Sequence, residues 1–403
     1  MNTFATLGDM LLRRYIVDFI AQMQQLSAPI YSRLRENNRF VPSGDGAFFP
    51  VRIDGNESGG GWRAPDDNTL PASGNERIKQ ARVRPKKYYR VVTFSGLAEA
   101  VSRRGGEDAF ASAVTDAISM AVTRAGADME VTFLRSDGTG KLADVNATET
   151  ADTVITVTDA RPFREQQVVV FLDNTTGLRA AGPVTILARD IAGATITVSS
   201  AITVNASHGI YKAGEQSEVS APADVTALGL PAIVSSTGTI YNLSRTSFPV
   251  LQSSVIAAGS TALDESLLRR IRRRLLVQTA VGNVDQFVML SNYEQFDRYT
   301  EISLGFRRFN DMRLDLGAQQ ELTTFEGRPW LLSWAADPAV VYFLNLGAIE
   351  RGVVRPLSID ERVNMAWLPG QDAFTTLLKY YGENVARYIN QTAKITGLSQ
   401  PTF

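Results

Sequence analysis

The chain has 403 residues, no cysteine and a single histidine, His208. Without cysteine there are no disulfides, no zinc-thiolate sites and no thiol nucleophile, and a reducing cytoplasm is tolerated. With one histidine, most histidine-based metal and triad chemistry is removed, which leans against a hydrolase. Long apolar runs are missing as well. In "MNTFATLGDMLLRRYIVDFIAQMQQL" the charges Asp9, Arg13, Arg14 and Asp18 interrupt every apolar run before it reaches signal or membrane-spanning length. No targeting segment and no membrane partner are expected, and the protein should be soluble. Charge imbalance is also lacking. A net charge of -1 gives no overall pull toward nucleic acid, so such contact would need a local patch. What remains is ordinary globular composition, 44% apolar and 21% charged, in a length that allows two or three domains.

Apolar residues recur every three or four positions from Phe4 through Leu11, Phe19 and Leu26 to Leu34, so an amphipathic helix is expected over 4–36, kinked or split at Pro29. "GAFFPVRID" (46–54) and "KKYYRVVTFSG" (86–96) read as strands. Between them lie roughly thirty residues with little apolar content, longer than an ordinary hairpin loop. Its tip, "GNESGGGWRAPDDNTLPASGNE" (55–76), carries three consecutive glycines, two prolines and Trp62. A long helix follows, opened by Glu107 and Asp108, striped by Phe110, Val114, Ile118, Ala121, Ala125 and Met129, and stopped by Gly138 and Gly140. It spans about seven turns. From 150 to 222 short β-rich runs separated by Asp, Asn and Gly indicate a small antiparallel barrel or sandwich. Mixed helix and strand text then resumes, with a helix at 263–282 and a C-terminal pair of extended segments around a turn at Gly382. The class is α+β.

No stretch of the sequence carries a recognisable catalytic or nucleotide-binding pattern. "DGTGKLAD" (137–144) has Arg135 and Leu142 where a phosphate loop needs Gly and Ser/Thr. Asp66 and Asp67 are neighbours on a polar loop, with no partner carboxylates at calcium-loop spacing. The arginines of "RRIRRR" (269–274) sit opposite Leu267, Leu268, Ile271 and Leu275, which indicates a solvated basic face answered by acids rather than a nucleic-acid reader. No catalytic, metal or cofactor residue is assigned.

The order of parts resembles the major capsid protein of tailed bacteriophages, the Hong Kong ninety-seven type fold. "FFPVRIDGNESGGGWRAPDDNTLPASGNERIKQARVRPKKYYRVVTFSGLAEA" is similar to that family's extended loop, and "EDAFASAVTDAISMAVTRAGADMEVTFLRSDGTGKLADV" to its spine helix. "FVMLSNYEQFDRYTEI" and "TTFEGRPWLLSWAADPAVVYFLN" resemble its axial domain, and "LLKYYGENVARYINQTAKITGL" its C-terminal return. The resemblance implies an N-terminal arm at 1–42, an extended β-hairpin loop at 43–98, and a spine helix with peripheral domain at 99–149. The β-rich 150–222 lies outside the resemblance and departs from the minimal fold, as an inserted β-domain; the resemblance further implies an axial domain with parts of the peripheral domain at 223–370 and return strands at 371–403. It implies hexamers and pentamers of this chain in an icosahedral virion shell, assembled in the host cytoplasm around double-stranded DNA held without sequence specificity. A separate scaffolding protein, a portal and a decoration protein are the partners it suggests. Inter-subunit contact is expected at Trp62, Arg63, Asp66, Asp67, Arg77, Arg272 and Arg273. The alternatives are an encapsulin-like nanocompartment and, from another class, a glycan-binding tail or adhesion module.

Overall fold

The computed structural model describes residues 28–37, 40, 42–43, 46–54, 62, 77–96, 107–215, 225–279, 287–306, 324–360 and 366–400. After a 3-10 turn at Tyr31–Arg33 come β1 (Arg35–Asn37), β2 (Ala47–Asp54), β3 (Arg77–Val83) and β4 (Lys86–Ser95). The helix expected over 4–36 therefore does not continue to 36. Leu34 already has extended backbone, and β1 pairs in parallel with a strand from the far end of the chain, a tertiary contact that outweighs local periodicity. The rest of that expectation, 1–27, lies outside the described residues. β2 and β3 form an antiparallel ribbon, with Ala47 opposite Val83 and Asp54 opposite Arg77. The hairpin's own return strand is thus β3, not the 86–96 segment that its sequence suggested. "RIKQARV" gives no clean alternation because its first four residues are exposed on both faces.

Helix α1 (Glu107–Arg135) buries Val114, Ile118, Ala121, Ala125 and Met129, the stripe its spacing demands. Gly138 and Gly140, at φ 98° and 88°, turn the chain after it. Next come β5 (Lys141–Asp144), β6 (Glu149–Thr156), β7 (Val168–Asp173), β8 (Arg179–Asp190), β9 (Thr195–Val204) and β10 (His208–Lys212). They form one antiparallel sheet in the order β5-β10-β7-β8-β9-β6. Its two edges meet: Val145 bridges Val157, and the Asn146 amide donates to the Thr156 carbonyl at 2.9 Å. The sheet closes into a small barrel around Ile155, Phe163, Phe171, Ile186, Ile196 and Ile210. It begins at Lys141, earlier than the 150 read from the sequence, because four-residue β5 is too short to show a pattern.

The remaining chain gives α2 (Leu230–Ile233), β11 (Thr239–Ile240), β12 (Leu243–Ser244), β13 (Ser254–Ala257), α3 (Glu265–Thr279), β14 (Phe287–Ser291) and α4 (Tyr293–Phe306). After them come β15 (Thr324–Phe325), β16 (Arg328–Leu332), β17 (Val341–Asn345), β18 (Ile349–Ile359), β19 (Ala366–Trp367), β20 (Ala373–Ala386) and β21 (Thr392–Thr396). A mixed sheet, β13-β21-β17-β14-β16-β15, shares a core with Leu268, Ile271 and Leu275 of α3. On α4, Phe296 and Tyr299 stack on Trp330 of this sheet, with ring centroids 5.5 and 4.8 Å away.

The central sheet is built on β20. β4 follows one of its edges from Ser95 opposite Ala373 to Lys86 opposite Gly382, while β18 and β19 share the other edge and β1 lies beyond β18. Gly382, expected to be a turn, is in the middle of this strand. A Cβ there would stand 2.5 Å from the Tyr380 hydroxyl and 2.8 Å from the Gly352 carbonyl, so close approach is what requires glycine. The class is α+β, as the sequence indicated. Among the described residues no helix is long and apolar enough to cross a membrane, and no group of His, Asp and Glu is placed to hold a metal ion.

Candidate functional site

The β2–β3 hairpin changes character along its length. At its root Ala47, Val51, Ala81 and Val83 are buried, Phe49 meets Tyr241 edge-on at 5.5 Å, and the Arg82 amide donates to the Tyr241 carbonyl at 3.1 Å. Tyr241 is itself held, accepting from the Ala386 amide at 2.7 Å on β20. Toward the tip Arg77, Ile78, Lys79 and Gln80 are all exposed. Phe48 and Ile78 share one face of the ribbon and are 46% and 54% exposed, and Trp62 beyond the strands is fully exposed at 104%. A two-stranded ribbon that buries so little is marginal in water without something packed on it.

Three other elements meet in a polar hub. Asp128 of α1 accepts from the Tyr88 hydroxyl at 3.0 Å and Arg90 at 3.1 Å, both on β4, and from Lys212 of the barrel at 2.8 Å. Lys212 also pairs with Glu215 at 2.8 Å. Burial alone would lower its ammonium pKa, but Asp128 and Glu215 raise it above the usual lysine value. Burial raises the Tyr88 phenol for the same reason that it opposes any charge there. Two residues on, Glu130 is fully buried and ties down the arm: it accepts from the Tyr31 amide at 2.8 Å and from Ser333 at 2.9 Å. At the far end of α1, Arg135 pairs with Asp159 of the barrel, and Arg161 of the barrel pairs with Glu294 of α4.

The basic helix is α3. Arg269 pairs with Glu265 at 2.6 Å, Arg272 pairs with Glu326 in the β15–β16 turn, and Arg274 donates to the Val255 carbonyl at 3.2 Å, while Arg273 is exposed. Much of the acid answering this face therefore comes from the same chain. Of the other sequence-selected residues, Arg77 opens β3 opposite Asp54, and Arg63, Asp66 and Asp67 lie outside the described residues. Trp62 and Arg77 belong to the hairpin and Arg272 and Arg273 to a separate helix, so they form no single constellation. The hub at Asp128 and the latch at Glu130 were not selected from the sequence. Their one signal was a pair of acids inside an otherwise apolar helical stretch.

No family model and no curated protein matches the sequence. Solved structures do. The "Cyanophage A-1(L) capsid asymmetric unit" aligns over 94% of both chains with a TM-score of 0.54 at 13% identity. The chain has the fold of a phage capsid protein. Chains from Gordonia phage Cozz (10% identity, 93% of this chain and 87% of that one, TM-score 0.46) and Mycobacterium phage Bobi (9%, 94% and 91%, 0.46) also align. The likeness to the cyanophage chain runs nearly end to end, so the capsid fold takes in the hairpin, α1 and the sheets together rather than one of them.

Proposed function

We propose that this chain is the major capsid protein of a tailed bacteriophage. Hexamers and pentamers of it close into an icosahedral head around double-stranded DNA, assembled in the host cytoplasm with a separate scaffolding protein, a portal and, on the outer surface, a decoration protein. In this reading residues 1–42 are the arm, 43–98 the extended loop with the strand that joins it to the central sheet, α1 the spine helix, the barrel from Lys141 the inserted domain that the sequence alone placed at 150–222, 223–370 the axial domain and 371–403 the return strands.

The observation that carries the reading is the hairpin, which leaves Phe48, Ile78 and a fully exposed Trp62 uncovered by the described residues. A shell subunit needs surface to share, and closed symmetric assembly supplies stability that a lone subunit lacks. Trp62, Arg63, Asp66, Asp67 and Arg77 are the proposed loop contacts, with Arg272 and Arg273 as a second set. No lysine lies between 55 and 76, so the loop is held non-covalently.

Electron microscopy of the chain expressed alone and with its scaffold tests this. Round closed shells support the reading, whereas fibres or monomers under both conditions defeat it. Trp62→Ala should leave the monomer's melting temperature unchanged and weaken the shells. A ladder of covalent multimers on denaturing gels, or variant shells as robust as the parent, would contradict non-covalent loop locking.

A further inference from the structure

Two cations converge on one turn of backbone at the end of α2. Arg245, just past β12, is 2% exposed, and its guanidinium donates to the Ala232, Ile233 and Thr237 carbonyls at 2.6, 3.0 and 3.0 Å. Its Nε is buried without a partner. Lys394 reaches the same turn from β21, where its Nζ donates to the Pro231 carbonyl at 3.3 Å. Lys141, Lys212 and Lys379 each pair with a carboxylate. Among the described residues neither Arg245 nor Lys394 has a carboxylate within ion-pair distance.

Strand alternation puts the lysine there. Ala393 and Ile395 face the core shared with α3, which turns Lys394 to the other side of β21, toward α2. Its cross-strand neighbours are Val255 on β13 and Tyr342 on β17, a buried phenol whose pKa burial raises, so it stays neutral. The acid whose charge acts on Lys394 is Asp337, and that carboxylate already accepts from the Ala339 amide at 2.8 Å. Burial and the Arg245 charge outweigh it and bring the Lys394 ammonium down to about 8. Burial brings Arg245 down only to about 10, so Lys394 is the group that gives up its proton.

A free amine in a half-buried position admits only a small electrophile. We propose that Lys394 is a carbamylation site, whose amine adds carbon dioxide. The Nζ lone pair attacks the carbon and an N–C bond forms. One C=O electron pair moves onto oxygen, and the amine proton leaves to solvent. Nothing is oxidised or reduced, and no other group departs. The product is an anionic carbamate. Two like charges thereby become two opposite ones beside Arg245, where attraction is stronger than in water. The site includes no residue of the hairpin or of the Asp128 hub, and it does not depend on the shell reading.

To test this, the full-length chain is incubated with isotopically labelled bicarbonate at about pH 8. Carbamates are trapped as ethyl esters with triethyloxonium ion and located by peptide mass spectrometry. The exposed Lys79 and Lys87 serve as references. Against an ordinary lysine near ~10.4, an amine at about 8 is free roughly 100-fold more often. Even with access reduced by burial, label on Lys394 should exceed theirs by at least about 10-fold. Asp337→Asn removes the charge that favours the ammonium and should increase the label, whereas urea-unfolded chain should show no preference. Labelling of Lys394 no stronger than that of the references overturns the proposal. So does a preference that survives unfolding, or a label that fails to rise in Asp337→Asn. In a second measurement, added carbon dioxide at constant pH should raise the melting temperature of the parent but not of Lys394→Met. An equal shift in both would overturn the stabilising role of the carbamate.

Discussion

Glu130 shows how much one residue can hold. Its carboxylate satisfies amides of the arm and the Ser333 hydroxyl at once, in a place with no exposed surface. Glu130→Ala leaves those donors buried and unpaired, so the subunit should lose about 2–4 kcal/mol, read from the urea midpoint. Glu130→Gln keeps an acceptor and should cost much less. Burial holds the Glu130 carboxyl above the ordinary carboxylate range, only partly offset by its hydrogen bonds. A folded-state pKa above the unfolded value means that the stabilisation is complete at acid pH and is lost as pH rises through the folded pKa. The stability of Glu130→Gln relative to the parent should therefore improve as pH rises across that range. A difference that stays flat with pH would show that the carboxyl is not raised. From the sequence, Trp62 was legible as a surface residue because it is the lone aromatic in a Gly, Pro and Asp segment. Glu130 was not, since its partners Tyr31 and Ser333 are 99 and 203 positions away.

At the scale of elements, the barrel and α3 make opposite demands. The barrel has its own core and closed edges, so residues 141–215 expressed alone should melt cooperatively, although a domain this small is marginal. A disordered circular dichroism spectrum would refute that boundary. Excising it from the full chain is another matter. Arg135 and Glu294 would lose the partners Asp159 and Arg161 at largely buried positions, and the soluble yield should fall. On α3 the pairs are exposed, and such pairs contribute only about 0.2–1 kcal/mol. Reversing Arg272 and Arg273 should thus barely move subunit stability while impairing assembly more than DNA retention. Normal shells that fail only to keep a genome would reverse this view. The barrel and α1 could be read from the sequence because short alternating runs and a 3.6-residue stripe are local patterns. β18 was not read as a strand. Pro356 and charged residues interrupt it, and its pairing with β20 shifts register twice.

On the scale of the whole molecule, the central sheet joins residues that are far apart in sequence. β20 supplies an edge to both β4 and β18, so truncation after 370 removes the partner strand of β4 and one of the two partners of β18 and should give insoluble protein, whereas removing only 401–403 should be harmless. Solubility and sedimentation of the two products test this. The same topology dictates an order of events during synthesis. β1 waits for β18, and β4 waits for β20, so the inner face of β4 and the stripe of α1 emerge from the ribosome long before the strands that complete their layer. Until the last tenth or so of the polypeptide has been translated, the barrel has all of its strands while the central sheet lacks β20 and the mixed sheet lacks β21. Each nascent subunit therefore passes through a period in which a finished domain sits in the middle of an unfinished one. That window leaves apolar surface uncovered before its layer can close, the stage at which aggregation competes with folding.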